Sequence, residues 1–171
     1  MLLKPDFFSR PAQTVARDLL GKYLVRRVNG KTKAYKIIET EAYVGPHDKA
    51  SHSYGSRRTK RNEPMWGRAG VWYIYFTYGM HYMLNIVTGK DGYPSAVLIR
   101  GLEEVSGPGR LTKALKIDKT HNTKAALPAN GLWIEDRGEK VPPSKVKRTP
   151  RIGIAYAEEW VEKPLRYVIK P

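Results

Sequence analysis

The stretch Glu39-Thr40-Glu41-Ala42-Tyr43 alternates so regularly that, as extended chain, it must present two unlike faces. A period of two puts Glu39, Glu41 and Tyr43 on one side of a strand and Ile38, Thr40 and Ala42 on the other. Further on, Trp72-Tyr73-Ile74-Tyr75-Phe76-Thr77-Tyr78-Gly79-Met80 is dense in aromatic and β-branched residues and runs into a glycine, the pattern of a strand entering a hairpin. Between them, Val44 to Gly70 has little apolar periodicity and carries Arg57, Arg58, Lys60, Arg61 and Arg68 against one acid, Glu63. A loop of that length in a compact domain is usually functional or disordered. The segment from Ile38 to Asn85 therefore joins carboxylates, a histidine, flat rings and positive charge on a sheet and its connecting loop, a set suited to chemistry on a nucleic-acid base.

The rest of the chain fits around a sheet. Ser9-Arg10-Pro11 reads as a helix entry with Ser9 capping the first amides, Val15, Leu19 and Leu20 give an apolar side, and Gly21 gives the stop. Tyr23 to Val28 reads as a strand, Asn29-Gly30 as a two-residue hairpin turn, and Lys33 to Tyr43 as the return strand. Val71 to Tyr78 and Tyr82 to Thr88 form a second hairpin across Gly79-Met80-His81. Ser95 to Leu102 is a buried strand ending near Arg100. Pro108 to Ile117 is a helix with Arg110, Lys113 and Lys116 at three-residue spacing, a solvated face or a DNA-facing one with equal weight. The Asn122 to Asn130 stretch reads as a linker, Gly131 to Glu135 as a strand, Val141 to Pro150 as a loop, and Arg151 to Ala155 and Tyr167 to Ile169 as strands. The expected fold is α+β: one domain over residues 1–171, with a curved, largely antiparallel sheet, a few flanking helices and a protruding β-hairpin.

Charge narrows the partner. Thirty-one Lys and Arg against sixteen Asp and Glu leave a net charge of +15, which points to a polyanion such as nucleic acid. With no cysteine, disulfides and thiolate metal sites are excluded. The N-terminus lacks the apolar stretch of a signal peptide and no run approaches the ~18 apolar residues of a membrane helix. The expectation is an intracellular monomer without a membrane partner.

Each chemical candidate has a plainer reading beside it. Glu39 and Glu41, ~7 Å apart on one face, are either a salt-bridged outer face or a pair with split roles, one taking a proton and one holding a basic loop. Spacing does not choose between them. His47, Asp48 and His52 lie on a loop with no tight ligand pair, so no metal or other cofactor is expected, and His52 reads better as a neutral, hydrogen-bonded ring. The tyrosines could be sheet packing, yet eleven in 171 residues, clustered beside basic residues, suit base stacking. Tyr78, at a hairpin tip with little core to join, is a wedge candidate. No nucleophile elbow, phosphate loop or dinucleotide fingerprint is present.

Ordered pieces of the chain resemble one family. Glu39-Thr40-Glu41-Ala42-Tyr43, Gly45-Pro46-His47-Asp48, His52-Ser53, Thr59-Lys60-Arg61-Asn62, Tyr73-Ile74-Tyr75 with Tyr78-Gly79-Met80, Asn85-Ile86, Val97-Leu98-Ile99-Arg100, Gly107-Pro108-Gly109-Arg110-Leu111, Pro150-Arg151-Ile152-Gly153-Ile154, and Trp160 with Lys163-Pro164-Leu165-Arg166 are similar to the alkyladenine (3-methyladenine) DNA glycosylases of animals and bacteria. The resemblance spans about Phe7 to Tyr167. It implies a base-excision-repair enzyme that flips alkylated or deaminated purines out of double-stranded DNA and hydrolyses their bond to the sugar without lyase activity. It further implies that Glu41 activates water and that Arg100 positions the water or the sugar-phosphate. Tyr43 and Tyr75, joined by His52, would stack on the base, Asn85 would crowd the amino group of guanine, and Tyr78 would fill the vacated place in the duplex. From the charge of their loop, and not from the resemblance, Arg57, Arg58, Lys60 and Arg61 read as contacts to the DNA backbone, with a merely solvated loop as the plainer alternative; the protein would be cytoplasmic or nucleoid-associated if prokaryotic. The chain departs from the family pattern in a connection from Asn85 to Arg100 two residues longer and in His81, where another aromatic is common. The competing class is a non-catalytic nucleic-acid-binding protein whose tyrosines form a stacking platform.

Overall fold

The computed structural model describes residues 1–171. Two short helices, α1 (Pro5–Phe8) and α2 (Ala12–Asp18), precede the strands β1 (Tyr23–Val28), β2 (Lys31–Tyr43), β3 (Trp72–Thr77), β4 (His81–Val87), β5 (Ala96–Leu102) and β6 (Val105–Ser106). Helix α3 (Pro108–Ala114) and strands β7 (Leu132–Glu135), β8 (Val146–Thr149) and β9 (Arg166–Ile169) complete the chain. The nine strands form one open antiparallel sheet with the path β3-β4-β5-β2-β1-β7, to which β6 adds at β5 and the β8/β9 pair at β2. This is the expected α+β fold.

β2 is the spine. Its first half pairs with β1 across the Asn29-Gly30 turn, where both residues take positive φ (50° and 74°), and its second half pairs with β5 on one edge and β9 on the other. A bulge near Ile37 and Glu39 separates the halves and turns the strand from one pairing to the next.

The two faces of the sheet differ because the period of two holds across four strands. Ala42, Trp72, Ile74, Leu84, Ile86, Val97 and Ile99 point into a core that also takes Val15 and Leu19 from α2 and Leu111 and Leu115 from α3 and the residues after it. The opposite face carries Glu41, Tyr43, Tyr75, Leu98 and Arg100, all bordering one cleft. Cross-strand register lines up Tyr73, Asn85, Leu98, Glu41 and Arg166 in a single row. With strands about 4.8 Å apart, that row crosses the sheet, and two of its members, Leu98 and Glu41, line the cleft.

Several local expectations are corrected. Ser9 does not cap α2: it is the C-cap of α1, where its hydroxyl donates back to Pro5 O, and Pro11 holds the cap position of α2. The second hairpin turns over Tyr78-Gly79-Met80, so His81 opens β4. α3 ends at Ala114, and Lys116 lies beyond it with φ of 52°. The expected strand Arg151 to Ala155 is irregular, and a strand, β8, forms instead at Val146–Thr149, within the expected loop. Arg151 buries its side chain against Asp48, and Gly153 turns through φ of 76°. Both features break strand geometry, whereas Val146–Thr149 finds a free edge in β9. The expected linker Asn122 to Asn130 runs along the outer edge of β3: Trp72 N–H donates to Lys124 O, Thr123 N–H to Trp72 O and Ile74 N–H to Asn122 Oδ1. That covers an edge that would otherwise invite another strand.

Candidate active site

Glu41 stands at the floor of an open cleft of about 580 Å³, and its side chain has no solvent exposure. A buried carboxylate needs compensation, and three groups supply it. Ile152 N–H donates to Oε2 at 2.7 Å, Tyr43 Oη–H donates to Oε1 at 3.2 Å, and Arg100 Nη1 lies 3.6 Å from Oε1. Burial still wins, raising the Glu41 pKa above the usual carboxylate value against the opposing pulls of Arg100, the Ile152 amide and Tyr43. A carboxylate so placed is a stronger base than one in water.

The geometry separates the two glutamates that spacing left equivalent. Glu39 Oε1 accepts from Arg100 Nε at 3.1 Å and Arg166 Nε at 2.6 Å, so it neutralises two guanidinium groups and fixes Arg100 beside Glu41. Glu41 has no such strong partner and faces the cleft. One carboxylate is thus a strut and the other is available.

Three rings border the cleft above Glu41. Burial raises the phenol pKa of both Tyr43 and Tyr75, so both are neutral donors. Arg151 covers the Tyr43 ring at 4.8 Å and Arg61 the Tyr75 ring at 5.1 Å. His52 packs on Tyr75 with ring centroids 4.6 Å apart, and its Nδ1 is 2.7 Å from Tyr73 Oη. Behind these rings is a narrow recess of about 20 Å³, which Asn85 lines with Met65, Tyr73 and Ala96. Asn85 borders this recess and not the open cleft. Its Nδ2 donates to Tyr73 O and Met83 O, both at 3.2 Å, which pins the side chain.

His52 is held neutral: burial, with Arg61 second, lowers its pKa to about 4. The unfolded chain takes up this proton as pH falls through about 6.5, and the folded chain only near 4, so His52 costs stability progressively as pH falls through that window. Glu41, raised, has the opposite slope, so a difference curve is the useful measurement. The melting temperature of His52→Gln should fall less than that of the native protein between pH 6.5 and 4. Parallel curves would refute a buried neutral ring.

Tyr78 occupies the tip of the β3/β4 hairpin, 84% exposed. Tyr78 and Gly79 both take positive φ (52° and 63°), and Met80 N–H donates back to Thr77 O. A left-handed tyrosine costs about 1–2 kcal/mol, and here that strain goes into a ring with no core contact. Just below the tip, where His81 pairs with Thr77, the Gly109 backbone meets the His81 ring so closely that an added Cβ would lie 2.6 Å from it.

The four basic loop residues are all exposed, but they are not alike. Arg58 pairs with Glu63, and Arg61 donates to Phe76 O at 2.9 Å. Arg57 and Lys60 have no ion-pair partner. The loop is ordered by polar anchors: Asn62 donates to His52 O and Arg57 O, and Asp48 accepts from Val44 N–H and Ala50 N–H.

Sequence reasoning missed Asp48, Arg151 and Ile152 as architects of this site, and for Glu39 and Glu41 it weighed a split of roles without assigning which residue took which. Arg151 and Asp48 form a two-pronged pair at 2.6 and 2.8 Å, both fully buried, which brings the Ile152 amide to Glu41. Only the Asx-type position of Asp48 in its turn carried a local signal. His47 packs on Trp160, away from His52 as a ligand partner, and no three His, Asp or Glu side chains come together in a way that could hold a metal ion. No helix is long and apolar enough to cross a membrane.

These features define the class: a basic protein whose sheet floors an open cleft bordered by aromatic side chains, over a buried carboxylate. The family model for methylpurine-DNA glycosylase (MPG) matches residues 6–107 and 104–171. A protein of Clostridium botulinum (strain Alaska E43 / Type E3) is 38% identical over 197 residues, covering 99% of this chain and 96% of its own length. One from Anaeromyxobacter sp. (strain Fw109-5) is 42% identical over 178 residues, covering 99% and 90%. Both are named "Putative 3-methyladenine DNA glycosylase". The chain belongs to the methylpurine-DNA glycosylase family.

Proposed function

We propose that this protein is a monofunctional DNA glycosylase that flips alkylated or deaminated purines, of the 3-methyladenine, 7-methylguanine and hypoxanthine class, from duplex DNA and hydrolyses their N-glycosyl bond to leave an abasic site. The observation that carries this reading is Glu41, fully buried at the cleft floor and gripped on one oxygen by the Ile152 amide. In the reaction the bond from C1′ to the base nitrogen breaks, and its electron pair leaves with the base. Water oxygen bonds to C1′, and Glu41 takes a water proton while its charge stabilises the oxocarbenium-like state. Arg100, fixed by Glu39, orients the water or the sugar-phosphate.

The base would stack against Tyr43, His52 and Tyr75. Alkylated purines carry positive charge, so these rings add a cation–π attraction that a normal purine lacks. Asn85, unable to give way because two main-chain carbonyls hold it, would crowd the amino group of guanine. A neutral base such as hypoxanthine needs a proton donor, and His52, with its pKa near 4, is not that acid at neutral pH. No lysine lines the cleft, which supports hydrolysis over a Schiff-base lyase route.

The test is to incubate the protein with duplexes carrying hypoxanthine or a methylated purine, treat with alkali, and look for strand breaks at the lesion. Absence of breaks with every lesion would sink the reading. Tyr78, as the wedge, should show itself separately. Tyr78→Ala should weaken lesion-duplex binding ~10-fold or more, as expected for losing a stacked ring worth ~1–3 kcal/mol. The salt dependence should keep its slope, since only Lys and Arg release counterions. A changed slope would argue against the wedge role.

A further inference from the structure

The protein exposes nine large hydrophobic side chains, and five of them lie on the two elements that border the cleft. Three, Phe76, Tyr78 and Met80, belong to the hairpin. The other two, Ile152 and Tyr156, are 48% and 66% exposed on the irregular loop Arg151 to Ala157 across the cleft from it. Apolar groups gathered on one rim of a protein with charge +15 need an occupant, and duplex DNA offers apolar sugar edges between its phosphates.

The loop is built to hold a fixed shape. The buried Arg151–Asp48 pair roots it, Ile152 N–H is bound to Glu41, Tyr156 Oη–H donates to Ala50 O at 3.2 Å, and Ala157 N–H donates to Ile154 O at 2.9 Å. With its hydroxyl tethered inward, the Tyr156 ring is left at the rim. Glu158 and Glu159, which would repel phosphate, are drawn to Lys49. Lys147 and Arg148, on the strand leading into the loop, are exposed.

We infer that this loop is a second DNA-gripping lip, on which Ile152 and Tyr156 pack against the sugars of the lesion strand beside the flipped nucleotide while the hairpin enters the stack. The choice of the lesion strand rests on the proposed function. Glu41 must reach C1′ of the flipped nucleotide, and the residue whose amide touches Glu41 lies close to that sugar. Tyr156 is thus a positioning residue, and the duplex is held between two rigid apolar lips.

Steady-state excision of hypoxanthine tests this, together with binding to a duplex holding a tetrahydrofuran abasic analogue beside 2-aminopurine, whose fluorescence reports unstacking. Tyr156→Ala should raise KM and the abasic-duplex Kd about tenfold and reduce the fluorescence rise, with kcat falling much less, as for contacts equal in ground and transition states. Ile152→Ala, which trims an exposed side chain and keeps its amide, should move KM and Kd the same way by about threefold. Tyr156→Phe should stay within about twofold of the native protein, because the ring makes the contact. Unchanged KM, Kd and fluorescence in both alanine variants would overturn the lip, as would a Tyr156→Phe defect equal to that of Tyr156→Ala. Should Tyr156→Ala fail to fold, Ile152→Ala decides. If the native protein binds the abasic duplex but releases no base, the glycosylase reading fails while the lip is still judged by Kd.

Discussion

Glu41→Gln should abolish alkali-revealed strand breakage at hypoxanthine, by ~10²–10⁴-fold as for loss of a general base, while lesion-duplex binding persists. The amide is isosteric. Its carbonyl still accepts from Ile152 N–H, and its NH₂ can donate to Tyr43 Oη, so the cleft should keep its shape. What disappears is the charge that removes a water proton and stabilises the developing positive sugar. Cationic methylated purines, better leaving groups, should lose less. The pH profile of the native protein should corroborate this: excision of methylated purines should fall on the acid side with a midpoint above the usual glutamate value, because burial raises Glu41. The same burial predicts a stability gain. A carboxyl whose folded pKa lies above its unfolded value makes the fold less stable as pH rises through that interval, so the neutral glutamine should melt higher than the native protein at pH 7. Retained excision in Glu41→Gln would remove Glu41 from the chemistry and leave the proton to another group.

The largest stability effect should come from the Asp48–Arg151 pair. Both side chains are fully buried, and removing one partner strands the other charge, a cost of about 3–5 kcal/mol. For a chain of this length each kcal/mol moves the melting temperature ~2–4 °C, so Asp48→Asn or Arg151→Met should lower it by ~6–20 °C. Asp48 also accepts two main-chain amides, so Asp48→Ala should be worse than Asp48→Asn. The double replacement Asp48→Leu with Arg151→Leu should melt above either single leucine variant, because no unpaired charge remains. Thermal denaturation of the set measures this, and additive losses would refute a coupled pair. Activity should fall in the double variant even where it is folded, since nothing then holds the Ile152 amide against Glu41.

What the sequence determined was local or periodic. The alternation of Glu39, Glu41 and Tyr43 fixed their common face, since side chains in extended chain must alternate. The Asn29-Gly30 turn, with both residues at positive φ, was legible because few residue pairs adopt that geometry. Tyr78 was legible as exposed from its place at a hairpin tip, and the α+β class followed from the spacing of strands and turns. Tertiary structure decided the rest. Glu39 and Glu41 are chemically identical in a strand; Arg166, 127 positions from Glu39, and Ile152, 111 from Glu41, make them different. The short strand at Val146–Thr149 exists because β9 offers it an edge, and no composition at that point signals a partner supplied from elsewhere. Asp48 and Arg151, 103 positions apart, show the same limit most sharply. A buried ion pair stabilises only once both charges leave water together, and that meeting is a property of the folded chain.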